Sequence, residues 1–296
     1  MNKLALTPAQ FLIGVDGGGT GTRVVLADSQ GRELARACAG PSGLAHGREM
    51  AWQAIQEACA KAFAEAGLSL PALTEVALGC GLAGVNNVQW AQEFIALNPG
   101  YAEVVTETDS YTNLLGAHGG AAGVVIALGT GSVGMVLQAD GQRREVGGWG
   151  FPVGDEASGA WMGLQAMNYL QRTLDGRALA DEFSASLLNF CGASKDAVFS
   201  WLAGANQTRY AQLAPIVIEF AHSAKAARQI LQQAGMEVAS MALALDPSQT
   251  LPLALSGGLA EIVKPYVPTT VQQRIQRAQG DSVAGALLLI QRAQNT

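Results

Sequence analysis

The sequence predicts an α/β protein of two lobes, and three observations carry that expectation. Its 296 residues exceed what one ordinary compact core accommodates. A strand, glycine turn, strand pattern near the start returns in the middle of the chain. Beyond Gly159 the pattern becomes mostly helical, so the second lobe carries the larger helical share.

The elements follow in order. Residues 11–15 form an apolar run that ends in Asp16, then Gly17, Gly18, Gly19, Thr20, Gly21 and Thr22, before a second strand at 23–27 and a turn at 28–31. Met50, Ala51, Ile55, Ala58, Cys59, Ala62 and Phe63 recur at three-to-four spacing and mark an amphipathic helix ended by Gly67. Residues 75–78 and 103–106 read as strands. The opening grammar then repeats: a strand at 123–128, the turn Gly129, Thr130, Gly131 and Ser132, a strand at 133–137 and a turn at 139–141. Residues 161–170, 182–190, 210–235 and 281–293 read as helical. The expected division is 1–118 plus 281–296 for the first lobe, completed by the C-terminal helix, and 119–280 for the second, with ligands in the cleft between them.

Composition narrows the chemistry. Nearly half the residues are apolar, 14% are charged and 36 are glycine, which describes a soluble globular chain rich in unusual turns. A net charge of −6 offers no basic field for nucleic acid or an anionic membrane, so a small-molecule partner is expected. Cys38, Cys59, Cys80 and Cys191 show neither metal-ligand nor disulfide-scaffold spacing and read as buried apolar residues. Residues 1–10 lack an unbroken apolar core, and no later segment is long and apolar enough to span a membrane, so a cytoplasmic location is expected.

The two glycine turns suit phosphate. Successive backbone N–H groups, with Thr and Ser hydroxyls, can address phosphate oxygens, and bound Mg²⁺ supplies positive charge where the turns hold no lysine. Gly18, Gly19, Thr20 and Thr22 are the candidates in the first turn, and Gly129, Thr130, Gly131 and Ser132 in the second. Asp16, at the mouth of the first strand, is the candidate Mg²⁺ ligand, directly or through water. Each turn alone could be a plain hairpin; their pairing is the signal. Residues 129–134 also satisfy G-x-G-x-x-G, but a strand follows instead of the helix that a dinucleotide fold requires. Asp109 sits after the 103–106 strand and ahead of a helical stretch, an address for a general base that takes a proton from an attacking hydroxyl. Its plain alternative is a cap on that helix.

Together these residues resemble the actin, hexokinase and chaperone ATPase superfamily, and within it the N-acetylglucosamine kinase and BadF-BadG-BcrA-BcrD ATPase family. The marks are residues 14–20, Thr108 with Asp109, residues 128–132, residues 147–150 with 154–156, and Ser256, Gly257 and Gly258. The resemblance implies an actin-like ATPase fold of ribonuclease H-like motif, ATP with Mg²⁺, and phosphorylation of N-acetylglucosamine or glucosamine at the 6-hydroxyl, with Asp109 as base. It implies that Gly148, Trp149, Gly150 and Asp155 line the sugar site, that Gly257 and Gly258 face adenosine, and that the protein is a homodimer. Trp149 as core, Asp155 as a helix cap and the glycines as ordinary turns are the plain alternatives.

Two departures bear on the sugar. Gly43 and Val133 stand where related sugar kinases often carry Asn, so polar contacts expected at the sugar site are missing. The family's other branch, ATPases that activate dehydratases or reductases, uses an iron–sulfur cluster and needs cysteines near the second turn. None lies between Cys80 and Cys191, which disfavours it. A non-catalytic sugar sensor on the same scaffold is the remaining rival.

Overall fold

The computed structural model describes residues 9–295. The leader reading of residues 1–10 therefore lies outside the described residues, except for Ala9 and Gln10. The chain divides into two compact units, Met1–Ala121 with Ala278–Thr296, and Ala122–Arg277.

The first unit holds β1 (Phe11–Gly17), β2 (Thr22–Asp28), β3 (Glu33–Ala39), α1 (Arg48–Glu65), β4 (Val76–Leu82), α2 (Val88–Ala96), β5 (Glu103–Glu107), α3 (Asp109–Ala117) and the C-terminal helix Ser282–Gln294. Its sheet runs β3-β2-β1-β4-β5. The first three strands are antiparallel neighbours, and β4 and β5 continue in parallel from β1. Alternation along β1 and β2 divides the core. Ile13, Val15, Val24 and Leu26 pack with Trp52, Ile55 and Phe63 of α1, while Leu12, Val25 and Ala27 pack with Val283, Leu287 and Ile290 of the C-terminal helix.

The second unit holds β6 (Gly123–Leu128), β7 (Ser132–Leu137), β8 (Arg143–Gly147), α4 (Gly159–Leu174), α5 (Glu182–Phe190), α6 (Lys195–Ala203), α7 (Gln207–Ala211), α8 (Ala214–Phe220), α9 (Lys225–Leu245), β9 (Leu253–Ser256), α10 (Ala260–Val263), α11 (Thr269–Gln272) and β10 (Ile275–Gln276). Its sheet order, β10-β9-β6-β7-β8, repeats the first with the same pattern: an antiparallel trio flanked by parallel strands. The repeat read in the sequence is thus a repeat of topology. Among the described residues no helix is long and apolar enough to cross a membrane.

Two expectations change. Residues 210–235 are not one helical stretch but the end of α7, then α8 and the start of α9. Pro215, in the first turn of α8, has no N–H for a helix running on from α7. Between α8 and α9 the Arg228 guanidinium donates to the carbonyls of Ala221 at 3.1 Å and His222 at 2.6 Å, closing a second break. Cys38 is exposed while the other three cysteines are buried, because β3 is the edge strand and Cys38 lies on its outward face.

Glycines set how closely the layers of the first unit approach. Gly14 and Gly79 are register partners in β1 and β4. A Cβ on Gly14 would lie 2.4 Å from the Val283 carbonyl, and one on Gly79 2.1 Å from that of Ala286, so the C-terminal helix rests backbone to backbone on these strands. Against α3, a Cβ on Gly285 would lie 1.7 Å from the Thr112 carbonyl, and one on Gly81 2.0 Å from Thr112 Oγ1. Gly79→Ala and Gly285→Ala are each expected to cost about 1–3 kcal/mol of stability through overpacking. Denaturant unfolding measures this; an unchanged midpoint in both variants would show that the helix needs no glycine contact.

Candidate functional site

In the first unit the chemistry-bearing residues gather at the carboxyl ends of β1 and β5. The β1–β2 ladder closes at Gly17 and Thr22, and the Gly18 amide donates to the Gly21 carbonyl at 3.0 Å. Gly19 and Thr20 are exposed at the tip. Behind the turn, the Gly18 carbonyl accepts from the amides of Ser42, 3.2 Å, and Gly43, 3.0 Å. Gly43 therefore sits directly under the turn, and a Cβ there would come within 3.3 Å of the Gly18–Gly19 peptide. A larger residue at 43 would press on the turn itself.

Thr22 is almost wholly buried; its hydroxyl donates to the Gly40 carbonyl at 2.6 Å and is hydrogen-bonded to Ser42 Oγ at 2.7 Å. That donor is used inside the protein, where it ties the turn to the 40–43 segment. Asp16 has a cation beside it that spacing alone placed merely in the next strand. The ladder puts Arg23 opposite Asp16, and the guanidinium donates to Asp16 Oδ2 at 3.0 and 2.5 Å and to Ser282 Oγ at 3.1 Å. Asp16 can still serve Mg²⁺, which takes few protein ligands and completes its shell with phosphate oxygens and water. Among the described residues no cluster of three or more His, Cys, Asp or Glu competes for that role. The lone Asp16 carboxylate, with one oxygen held by Arg23, fits that donor set.

Asp109 opens α3 just beyond β5. It is not the cap: Thr108 is, its hydroxyl accepting from the Tyr111 amide at 3.1 Å. The Asp109 Oδ1 accepts from its neighbour Ser110 N at 2.9 Å, which turns the carboxylate to the first-turn amides and the positive end of the helix.

In the second unit the β6–β7 ladder closes at Leu128 and Ser132, and the Gly129 amide donates to the Gly131 carbonyl at 2.9 Å. The start of α4 grips the turn from behind, with Gly159 N on the Gly129 carbonyl at 2.9 Å and Ala160 N on that of Thr130 at 3.2 Å. Ser132 is held twice, its amide on Asp155 Oδ1 at 3.2 Å and its hydroxyl on the Glu156 carbonyl at 2.6 Å. Beside the turn, a Cβ on Gly257, whose φ is +87°, would lie 2.3 Å from the Leu128 carbonyl, so only glycine fits there. Nothing lies within 4 Å of where a Gly258 Cβ would point.

The 147–158 loop settles two alternatives. Trp149 is not core; it is 84% exposed, with Gly148 and Gly150 in left-handed backbone on either side. Val133 lies against Gly148, 3.3 Å from where a Cβ would stand, so an apolar methyl faces this loop. Asp155 does not cap α4, because Ser158 does, accepting from the Trp161 amide at 3.1 Å. Asp155 is instead buried, in left-handed backbone at φ +64°, with Ala157 close by at +67°. Such geometry is strained for residues with a Cβ and persists where surroundings enforce it. Here the enforcing contacts are Ser132 and Gln207, whose Nε2 donates to Asp155 Oδ2 at 2.6 Å. Burial raises the Asp155 pKa, opposed by the Ser132 amide, reinforced by the nearby Glu156 charge and opposed again by Gln207 and the Phe151 amide.

Sequence reasoning missed Arg23, Ser42 and Gln207 as partners of the site. Arg23 was accessible through hairpin register, which sets it opposite Asp16. Gln207 carries no local signal, since only the tertiary placement of α7 brings it to Asp155.

Comparison with known proteins matches the model of the BadF/BadG/BcrA/BcrD ATPase family to residues 13–289. The chain is 29% identical over 279 residues to the glucosamine kinase GspK of Vibrio cholerae, covering 94% of this chain and 95% of that protein. A solved structure from Chromobacterium violaceum, provisionally named an N-acetylglucosamine kinase, shares 46% identity at a TM-score of 0.92, covering 96% of this chain and all of the other. The ROK hexokinase of Thermus thermophilus, 20% identical with a TM-score of 0.51 over 94% of this chain and 98% of that one, shares the fold.

Asp155 makes stability depend on pH. With its folded pKa raised, the neutral form is the better tolerated, so its contribution is full below the ordinary carboxylate range and is lost as pH rises through the raised value. Asp155→Asn keeps an acceptor for the Ser132 amide and carries no charge. Thermal unfolding should find the variant gaining on the wild type as pH rises from about 4 to 8; a difference independent of pH would contradict the raised value.

Proposed function

Because the chain belongs to the BadF/BadG/BcrA/BcrD ATPase family, we propose that it is an ATP-dependent kinase that phosphorylates an amino sugar, glucosamine or N-acetylglucosamine, at the 6-hydroxyl. The observation that carries this reading is the pair of lysine-free glycine–threonine hairpins, one opening each sheet of the repeated topology. Turns of this kind suit nucleotide phosphates, and the full-length likeness to a glucosamine kinase supports an amino sugar as acceptor.

In this reading the first-turn backbone at Gly18 and Gly19, with Thr20, and the second-turn amides of Thr130 and Gly131, with the Thr130 hydroxyl, hold phosphate oxygens. Thr22 and Ser132 brace the turns from within, since their own donors are engaged by the protein. Mg²⁺ held at Asp16 would neutralise phosphate charge. Gly258, with open space where a Cβ would point, leaves room for adenosine, while Gly257 packs on the Leu128 carbonyl beside the second turn. Gly148, Trp149, Gly150 and Asp155 form the loop that reads the sugar, with the indole face of Trp149 free to lie on the apolar face of a hexose. Gly43, which the resemblance assigned to the sugar, packs by its smallness under the first turn of the first unit.

Asp109 takes the proton from the sugar 6-hydroxyl as that oxygen attacks the γ-phosphorus in line and ADP leaves. Thr108 fixes the helix end, and the Ser110 amide fixes the carboxylate. An assay of ADP release over hexoses and amino sugars tests the reading. Release should depend on an amino sugar, and Asp109→Asn should lower kcat by about 10²–10⁴ while ADP affinity is retained. Turnover without sugar, or full activity in Asp109→Asn, would overturn it in favour of an ATPase acting on a partner.

A further inference from the structure

Asp155 is shared between two jobs. It belongs to the loop proposed to read the sugar, yet its carboxylate holds the amide of Ser132 in the second phosphate turn at 3.2 Å. The turn is built around that contact: a Cβ on Gly131 would stand 3.0 Å from both carboxylate oxygens and 3.0 Å from Gln207 Nε2. The loop returns the grip through the Glu156 carbonyl, which accepts from Ser132 Oγ at 2.6 Å. Loop and turn are therefore one hydrogen-bonded body.

Gln207 comes from outside that body. It is the first residue of α7, a helix capped by Asn206 and seated on α4, where a Cβ on Gly163 would lie 2.0 Å from the Tyr210 carbonyl. Tyr210 also packs its ring on Phe151 of the sugar loop at 4.9 Å and on Trp201 of α6 at 5.2 Å. With α7 held in this way, the Gln207 amide meets Asp155 Oδ2 from a fixed direction at 2.6 Å. That contact selects the orientation in which Oδ1 faces Ser132. A carboxylate oxygen accepts more than one hydrogen bond, so a sugar hydroxyl can bind Asp155 while both protein donors stay in place.

We propose that Gln207 is a positioning residue for phosphoryl transfer, coupling sugar occupancy at the 147–158 loop to the shape of the second phosphate turn by holding Asp155 against the Ser132 amide. This rests on the proposed kinase reading. Without Gln207, Asp155 is free to turn toward solvent or sugar and release Ser132, and the turn then no longer registers whether a sugar is bound. Coupling of this kind is a measurable quantity, the factor by which one ligand tightens the other.

The test compares ADP affinity by calorimetry with and without saturating glucosamine, in wild type, Gln207→Leu, Gln207→Asn and Asp155→Asn. Wild type should bind ADP more tightly with the sugar present. In Gln207→Leu, which keeps the volume and loses the donor, that factor should fall toward one, and KM for both substrates should rise about 10-fold to 100-fold with a nearly unchanged unfolding midpoint. Gln207→Asn, one methylene shorter, should show the same loss of coupling and guards against a folding defect in the leucine variant. Adding Gln207→Leu to Asp155→Asn should cost little more, since both act through one contact. Equal coupling in wild type and both Gln207 variants, or a lowered unfolding midpoint with unchanged KM values, overturns the inference and leaves the kinase reading standing. Failure of the wild type to phosphorylate any amino sugar overturns the kinase reading, and the inference with it.

Discussion

The constraint on which the first unit depends is the backbone-to-backbone contact of the C-terminal helix with β1, β4 and α3. Glycine in a strand interior weakens the strand, yet Gly14 and Gly79 stand side by side in the ladder because the Val283 and Ala286 carbonyls occupy the space of their side chains. Gly81 and Gly285 do the same for α3. This close stacking sets the height of α3 over the sheet, and so the position of Asp109 at its start. The same helix begins at Asp281, whose carboxylate caps it and pairs with Arg36, and its Ser282 receives Arg23 from the hairpin. A chain end distant in sequence thereby buttresses Asp16, Arg23 and α3 together.

The second unit reaches a comparable result by other means. Its turn is braced by peptide groups at the start of α4 and by a buried carboxylate instead of a neighbouring strand segment. A buried acid is electrostatically costly, as the pKa raised by its burial reflects. The left-handed backbone at Asp155 and Ala157 adds conformational strain. Both are local violations of what a stable fold prefers, and they fall in the loop that the family resemblance associates with sugar. Strain placed where ligands bind is a recurring property of functional sites.

Much of the architecture was legible because local rules and tertiary structure agree. The two hairpins announce themselves by an apolar run that stops at glycine and threonine and resumes as β-branched residues, and the strands form there. The stretch 182–190, read as helical, forms α5, and the structure shows Asp181 capping it. What the sequence hid has physical causes. The 210–235 stretch kept helical periodicity through breaks made by one proline and by side-chain capping from Arg228. The plain alternatives that made Asp109 and Asp155 helix caps do not hold, since Thr108 and Ser158 accept from the first-turn amides instead. The Gln207 contact was invisible because α7 and Asp155 meet only in three dimensions.

In the proposed reading, with no lysine in either turn, phosphate chemistry would fall on amides, a cation held at Asp16 and the residues that hold the turns in shape. Arg23, Ser42, Thr22, Ser132, Asp155 and Gln207 all serve that last purpose in the structure. The central claim is that the phosphoryl group passes to the primary hydroxyl of an amino sugar. The most direct measurement is phosphorus–proton correlation NMR of the product formed from ATP, Mg²⁺ and glucosamine or N-acetylglucosamine. The account predicts one phosphorus signal coupled to the two protons on carbon 6, formed in step with ADP. Inorganic phosphate as the only new phosphorus species, or a phosphorus coupled to the anomeric proton, would contradict it.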